Sequence, residues 1–270
     1  MPLVSVIVPA CNAARYIRQA LESACTQTHR EIEVIVVDDG SRDETPAIVE
    51  EFAARDPRVR LLLRNNAGVG AARNMGIRQA QGVYIAPIDA DDIWHPRKLE
   101  AQVACMEAHG AETGLVYCWT NMIDSEGRFV KHFEAAEIEG HVLPFLIKGN
   151  FMVCASVPLF RATALARVGH YLTRAEQYGA QGCEDWDLLM RIAEHYDVRL
   201  APGYLVGYRQ NDGMSLLIRG MTDSFEIVRR RARRFPRGAS ACPDRTPRVG
   251  TWQRRRTGWS SGRCCFSISG

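Results

Sequence analysis

Val83-Tyr84-Ile85-Ala86-Pro87-Ile88-Asp89-Ala90-Asp91-Asp92 decides the fold of this chain. The apolar run after Gly82 predicts a short buried strand that delivers three carboxylates at its C-terminal end. An unpaired buried charge is costly, so carboxylates placed there want water, a base or a cation. Asp89 and Asp91, two apart in turning backbone, can close on one hard divalent ion through oxygen ligands. The competing expectation is a solvated turn in which an Asp caps the next helix.

Outward from that stretch the chain alternates. Residues 3–9 read as a first strand, and 13–26 as a helix with Tyr16, Ile17, Ala20, Leu21 and Ala24 at helical spacing. Glu33 to Val37 is a second strand closed by Asp38-Asp39-Gly40-Ser41, followed by a helix with Thr45 as N-cap and Pro46 at its first position. Val59 to Leu63 is a third strand, and Asn65 to Gly70 a turn into a helix over 71–80. Strands alternating with helices predict an α/β fold with a Rossmann-like, mostly parallel sheet flanked by helices. In such sheets ligands bind beyond the carboxyl ends of the strands, where both acidic clusters fall.

Beyond Pro96, which starts a helix bearing Leu99, Val103 and Met106 on one face, the pattern changes. Gly114 to Thr120 is expected as a strand, 124–127 as a turn to Phe129-Val130, 140–148 as a helix, and the run to Phe160 as extended. A mixed, acceptor-side half is therefore expected. In a helix over 184–195, Asp185 shares a face with Leu188, Leu189 and Ile192, which turns it toward the protein. It is either a functional carboxylate or a simple partner of the positive helix end. Asp187 and Arg191 are spaced as an ion pair. Val198 to Ala201 and Tyr204 to Arg209 read as the closing strands.

Composition bounds the rest. The chain has 270 residues, 46% hydrophobic and 24% charged, which suits a globular enzyme. Nine cysteines without a C-x-x-C pair argue for reduced thiols rather than disulfides or a thiolate metal site. From Pro236 onward there are seven Arg and one Asp, so the net +3 conceals a body of about −3, which excludes a nucleic-acid binder by charge. No basic leader precedes the first strand, and 142–160 is too broken by Lys148, Asn150 and Pro158 for a transmembrane segment. A cytoplasmic protein is expected, with peripheral association at the inner face of the membrane left open. His109, His132, His141 and His170 lack metal spacing. The expected organisation is a catalytic domain over 1–228, divided at 112/113, and a basic, structureless tail over 229–270.

Five blocks in order, Val4 to Pro9 with Asn12, Val36 to Ser41, Gly70 to Gly76, Asp89 to Asp92, and Glu184 to Asp187, resemble the family-two inverting glycosyltransferases of the A-type nucleotide-sugar-binding fold. The resemblance spans roughly residues 3–215 and implies roles. Pro9, Asn12, Asp38, Asp39 and Asn66 would line the nucleotide pocket, with Arg73, Asn74, Asp89, Ala90, Glu184 and Arg209 completing the nucleotide-sugar site. Asp91, with Asp89, would hold Mg2+ or Mn2+, and Asp185 would be the general base. The implied reaction moves a sugar from a nucleoside-diphosphate sugar, with uridine favoured by analogy, to a hydroxyl of a glycan or lipid-linked acceptor in polysaccharide biosynthesis at the cell envelope. The family often places a His after the final Tyr-Arg; Tyr208-Arg209-Gln210-Asn211 has none, and Asn211 is the stand-in for a diphosphate contact.

Rivals remain. A nicotinamide oxidoreductase should show G-x-G-x-x-G after the first strand, whereas Gly68-Val69-Gly70 comes later and Arg73 replaces the third glycine. A phospho-receiver domain would leave residues 115–215 without purpose. A nucleotidyltransferase should carry a glycine- and basic-rich loop where Ala10-Cys11-Asn12-Ala13 stands. A catalytically impaired nucleotide-sugar-binding protein is the fourth.

Overall fold

The computed structural model describes residues 1–173, 176, 183–210 and 248–249. Its centre is a nine-stranded mixed sheet, α/β in architecture. Strand β1 (Val4–Ala10) is buried at every position, and β2 (Ile32–Asp38) at all but one. Such near-continuous apolar runs belong to strands covered on both faces. With β3 (Val59–Leu63) and β4 (Tyr84–Pro87) they form a parallel block in the order β3-β2-β1-β4. Helices α1 (Ile17–Cys25), α2 (Thr45–Arg55) and α3 (Val69–Gln79) make the connections. The α1 face predicted from spacing is the buried one, carrying Ile17, Ala20, Leu21 and Ala24.

The strand order reverses between β1 and β4, and that is where a doubly wound sheet opens a crevice. Pro9 marks the opening. Ile7 turns its carbonyl to the β4 side, accepting from the Ile88 amide at 2.9 Å, and Ala10 turns to the β2 side, accepting from the Asp39 amide at 2.8 Å. Alternation gives Pro9 the β4 side, where pairing ends at Ile7 opposite Pro87. A residue without an N–H therefore leaves no ladder bond unmade there.

The second half completes the sheet with β9 (Leu159–Arg161), β6 (Thr113–Ile123), β10 (Asp197–Arg209) and the two-residue β5 (Ile93–Trp94), which the sequence did not reveal. Strand β10 runs parallel to β6, whereas β9 is antiparallel to both β4 and β6. Strand β7 (Phe129–His132) hangs from β6 through the expected turn at 124–127. Helix α4 (Lys98–Ala108) buries Leu99, Val103 and Met106, as their spacing predicts.

Several expectations are corrected. Helix α2 starts at Thr45, one residue early, because the Asp43 carboxylate accepts the Thr45 amide at 3.0 Å and does the capping itself. The helix expected over 140–148 shrinks to α5 (Leu143–Leu146): the Gly140 amide is bonded to Val198 in a sheet-like bridge, and Pro144 fits only the first turn. The run to Phe160 is not extended throughout, and Val153 sits at φ 70°. The two closing strands are one 13-residue strand with register breaks. Helix α6 (Ala162–Val168) follows β9, and α7 (Glu184–Ala193) is the expected acidic helix. In it Arg191 Nε donates to Asp187 at 2.8 Å, the anticipated pair. Arg248–Val249 (β11) pairs with β8 (Ile138–Glu139). The rest of the predicted tail, and Asn211, lie outside the described residues.

Candidate active site

Three elements meet at the crevice. The turn after β4 carries Asp89, Asp91 and Asp92; α3 presents Arg73; the first turn of α7 presents Glu184 and Asp185. Arg73 joins them: it donates to Asp89 Oδ1 at 2.6 Å and to Glu184 Oε1 at 2.7 Å. Its side chain is only 3% exposed and lies 5.2 Å over the Tyr171 ring. Burial opposes its charge, yet Asp89 and Glu184 together push the guanidinium's pKa above its ordinary value. A buried cation with two carboxylate partners is fixed in both protonation and position.

Gly70 permits this meeting. A Cβ at that position would fall 2.4 Å from the Leu172 carbonyl oxygen and 3.7 Å from Glu184 Cγ, so only a glycine lets α3 approach the segment that leads to α7. Asn74, one residue beyond Arg73, clamps the same segment: its amide donates to Tyr171 O at 2.8 Å and its Oδ1 accepts the Tyr171 amide at 2.9 Å.

Asp185 is half-buried at the second position of α7, behind Cys183 in the left-handed region at φ 64°. Its Oδ1 accepts the Trp186 amide at 2.7 Å. Burial, then the neighbouring Glu184 charge, raise its pKa to about 6, and Arg73 pulls the other way. Asp89 also contributes to the rise, which places α7 within electrostatic reach of the β4 turn. A carboxylate tuned near neutrality is suited to accept a proton at working pH.

The acidic turn divides its labour. Asp89 is 27% exposed with one oxygen on Arg73, Asp91 is half-buried, and Ala90 is buried between them. Asp92 corrects the expectation that all three carboxylates avoid the core. It is fully buried, accepts from the Arg209 amide at 3.0 Å and from Ser156 Oγ, and has a pKa raised by burial and by Asp91 and Asp89. The two hydrogen bonds satisfy both of its oxygens, which makes its burial tolerable. Asp89 and Asp91 are the residues that could hold a divalent ion. Among the described residues no group of three His, Cys, Asp or Glu could hold a metal ion; the carboxylate oxygens of Asp89 and Asp91 are the hard ligands that a divalent ion such as Mg2+ or Mn2+ would take, with other groups completing its shell.

The residues expected to line a nucleotide pocket gather around the ends of β1 and β2. Asp39 is buried; its carboxylate accepts the amides of Ala67 at 3.0 Å and Gly68 at 2.8 Å and forms an ion pair with Arg64 Nε at 3.0 Å. It thereby anchors the loop entering α3. Asp38 is also buried; its Oδ2 accepts the Ser41 amide at 3.1 Å, and its Oδ1 has no hydrogen-bond partner. Asn12, at φ 50°, and Asn66 are exposed at the mouth: Asn12 accepts the Arg42 amide at 2.9 Å, and Asn66 donates to Asp39 O at 2.9 Å. Arg209 is fully buried and its donors go to the carbonyls of Asp91 at 2.6 Å, Asp124 at 3.0 Å and Ser125 at 2.8 Å, and to Gln19 Oε1 at 2.7 Å. It ties the end of β10 to the acidic turn through main-chain contacts. Sequence reasoning missed Ser156 and Tyr171, neither of which belongs to a charged motif or a periodic face.

Glycosyl transferase family 2 matches over residues 5–160. The chain is 32% identical over 199 residues to a chondroitin synthase of Escherichia coli, covering 72% of this chain and 27% of that one. It is 39% identical over 156 residues to the succinoglycan biosynthesis protein ExoO of Rhizobium meliloti, covering 56% and 44%. The chain thus spans less than half the length of these relatives. Among solved structures, S. aureus TarS in complex with UDP-GlcNAc superposes with a TM-score of 0.62 at 22% identity, covering 78% of this chain and 59% of that one. The mannosyltransferase PcManGT of Pyrobaculum calidifontis, in complex with GDP-Man and Mn2+, does so with a TM-score of 0.62 at 21% identity, covering 85% and 64%. These likenesses establish the A-type fold, and with more than half of its residues matched by the family, the chain belongs to glycosyl transferase family 2.

Proposed function

We propose that this chain transfers a sugar from a nucleoside-diphosphate sugar, a uridine one by preference, to a hydroxyl of a glycan or lipid-linked acceptor by a single inverting displacement. The observation that carries this reading is the bridge from Asp89 through Arg73 to Glu184, beside Asp185, which gathers acids from both halves of the chain around one crevice. The base and ribose would lie along Pro9, Asn12, Asp38, Asp39 and Asn66; the unpartnered Asp38 Oδ1 is an acceptor suited to a base N–H. Asp89 and Asp91 would hold the diphosphate through Mg2+ or Mn2+. Such an ion would offset the charge that gathers on the departing diphosphate. Asp185 would take the proton from the acceptor hydroxyl as it attacks the anomeric carbon from the opposite face. Arg73 orients Asp89 and Glu184, and through Glu184 the first turn of α7, so that the base faces the donor.

That no described helix is long and apolar enough to cross a membrane leaves peripheral attachment, and a site of action at the inner face, as part of the proposal. The deciding experiment incubates the protein with UDP- and GDP-sugars, Mn2+ and candidate glycan acceptors, and follows the product's anomeric proton by NMR. Inversion of the donor's configuration is expected. Retention, or transfer of the nucleotidyl group instead of the sugar, would overturn the reading.

A further inference from the structure

We propose that Ser156 is a positioning residue for the acidic turn, acting through Asp89 and Asp92 rather than on substrate; this rests on the donor-binding role proposed for that turn. Ser156 is fully buried in the segment before β9, in sequence far from every acidic block. Its Oγ accepts the Asp89 amide at 2.9 Å and donates to Asp92 Oδ2. One hydroxyl thus meets the donor at the start of the turn and the acceptor at its end. Only a hydroxyl can do both from a single small atom.

The backbone beneath that hydroxyl is held independently. The Ser156 carbonyl accepts from Trp94 Nε1 at 2.9 Å, and the next carbonyl, of Val157, accepts from Gln102 Nε2 at 2.9 Å. Gln102 is fixed in turn by Lys98 Nζ at 2.7 Å. Val153, a β-branched residue at φ 70° three positions upstream, is in a strained conformation of the kind found where surrounding contacts over-determine the backbone. Arg209 also holds the turn, by its amide on Asp92 and its Nε on the Asp91 carbonyl. The turn is therefore held by both Ser156 and Arg209, and the directions of the Asp89 and Asp91 side chains follow from those contacts. Loss of the hydroxyl leaves position 156 in place but strands the Asp89 N–H and an Asp92 oxygen, which frees the turn.

The test compares Ser156→Ala with Val157→Ala, a neighbouring buried residue whose side chain makes no hydrogen bond to the turn. Calorimetric binding of UDP and of GDP, each with MnCl2, is measured on the full chain alongside thermal melting. Ser156→Ala is expected to weaken Mn2+-supported nucleotide binding by about tenfold, with acceptor KM unchanged. Val157→Ala, although it melts at a lower temperature than wild type, is expected to bind within about twofold of it. Wild-type affinity in Ser156→Ala, or an equal loss in Val157→Ala, overturns the positioning role while leaving the cleft's function intact. A wild-type chain that binds neither nucleotide overturns both.

Discussion

Arg73 and Asp89 are joined by a 2.6 Å charge-assisted hydrogen bond at the point where the strand order of the sheet reverses. The same guanidinium reaches Glu184 at 2.7 Å, so one side chain couples the parallel half of the sheet to the helix bearing Asp185. Removing it leaves two carboxylates facing each other with little water. Arg73→Met should therefore lower stability by about 3 kcal/mol at neutral pH, at the lower end for a broken buried pair because Asp89 keeps some exposure. Chemical denaturation measures this directly; an unchanged midpoint would show that the bridge contributes nothing.

Asp185 gives the reaction a pH signature. With a native pKa near 6, its basic form grows as pH rises through that value, and kcat/KM should rise roughly tenfold from pH 5 to pH 7 before levelling. The stability contribution has the opposite sense. The folded carboxyl holds its proton above the ordinary value of 3.8, so this contribution is complete below 3.8 and is lost as pH rises through about 6. A pH–rate profile flat across pH 5 to 7 would remove Asp185 as the base.

Gly70 lies in the first turn of α3, where alanine would ordinarily be the better helix former by up to about 1 kcal/mol. The 2.4 Å approach of its absent Cβ to the Leu172 carbonyl reverses the sign. Gly70→Ala should destabilise by about 1–3 kcal/mol and weaken donor binding, since the segment leading to α7 must shift. A stabilised variant would show that this segment moves aside freely.

Arg209 forks across carbonyls from two turns, a geometry a lysine cannot reproduce. Arg209→Lys should raise donor KM several-fold and lower the melting temperature, read by steady-state kinetics and calorimetry. Kinetics indistinguishable from wild type would mean that the β10 end does not order the acidic turn.

The parallel half of the fold was legible in the sequence because buried parallel strands are continuous apolar runs, and Val4–Ala10, Ile32–Asp38 and Val59–Leu63 fall within a residue or two of where their patterns place them. The second half was legible only in part: the strand at β6, the turn at 124–127 and the helix from Glu184 stand where expected, but the pairing of its strands was not readable. Its strands pair across long sequence separations, β6 with β10 and β9 between β4 and β6, and Leu143–Leu146 is one turn where composition suggested more. Among site residues, Asp89 and Asp185 announced themselves as charges at strand and helix ends. The uses of Asp92, Arg209 and Ser156 depend on who stands opposite in space, and no local pattern encodes that. Asp187 and Arg191, four apart on one helix, show the contrast, since their pairing is local and was readable.

Asp185→Asn tests the central claim most directly: measure UDP-sugar or GDP-sugar binding with Mn2+ and sugar transfer on the same preparation. The account predicts donor affinity within about twofold of wild type and transfer reduced by about 10²–10⁴-fold. Near-normal transfer by the Asn variant would contradict it.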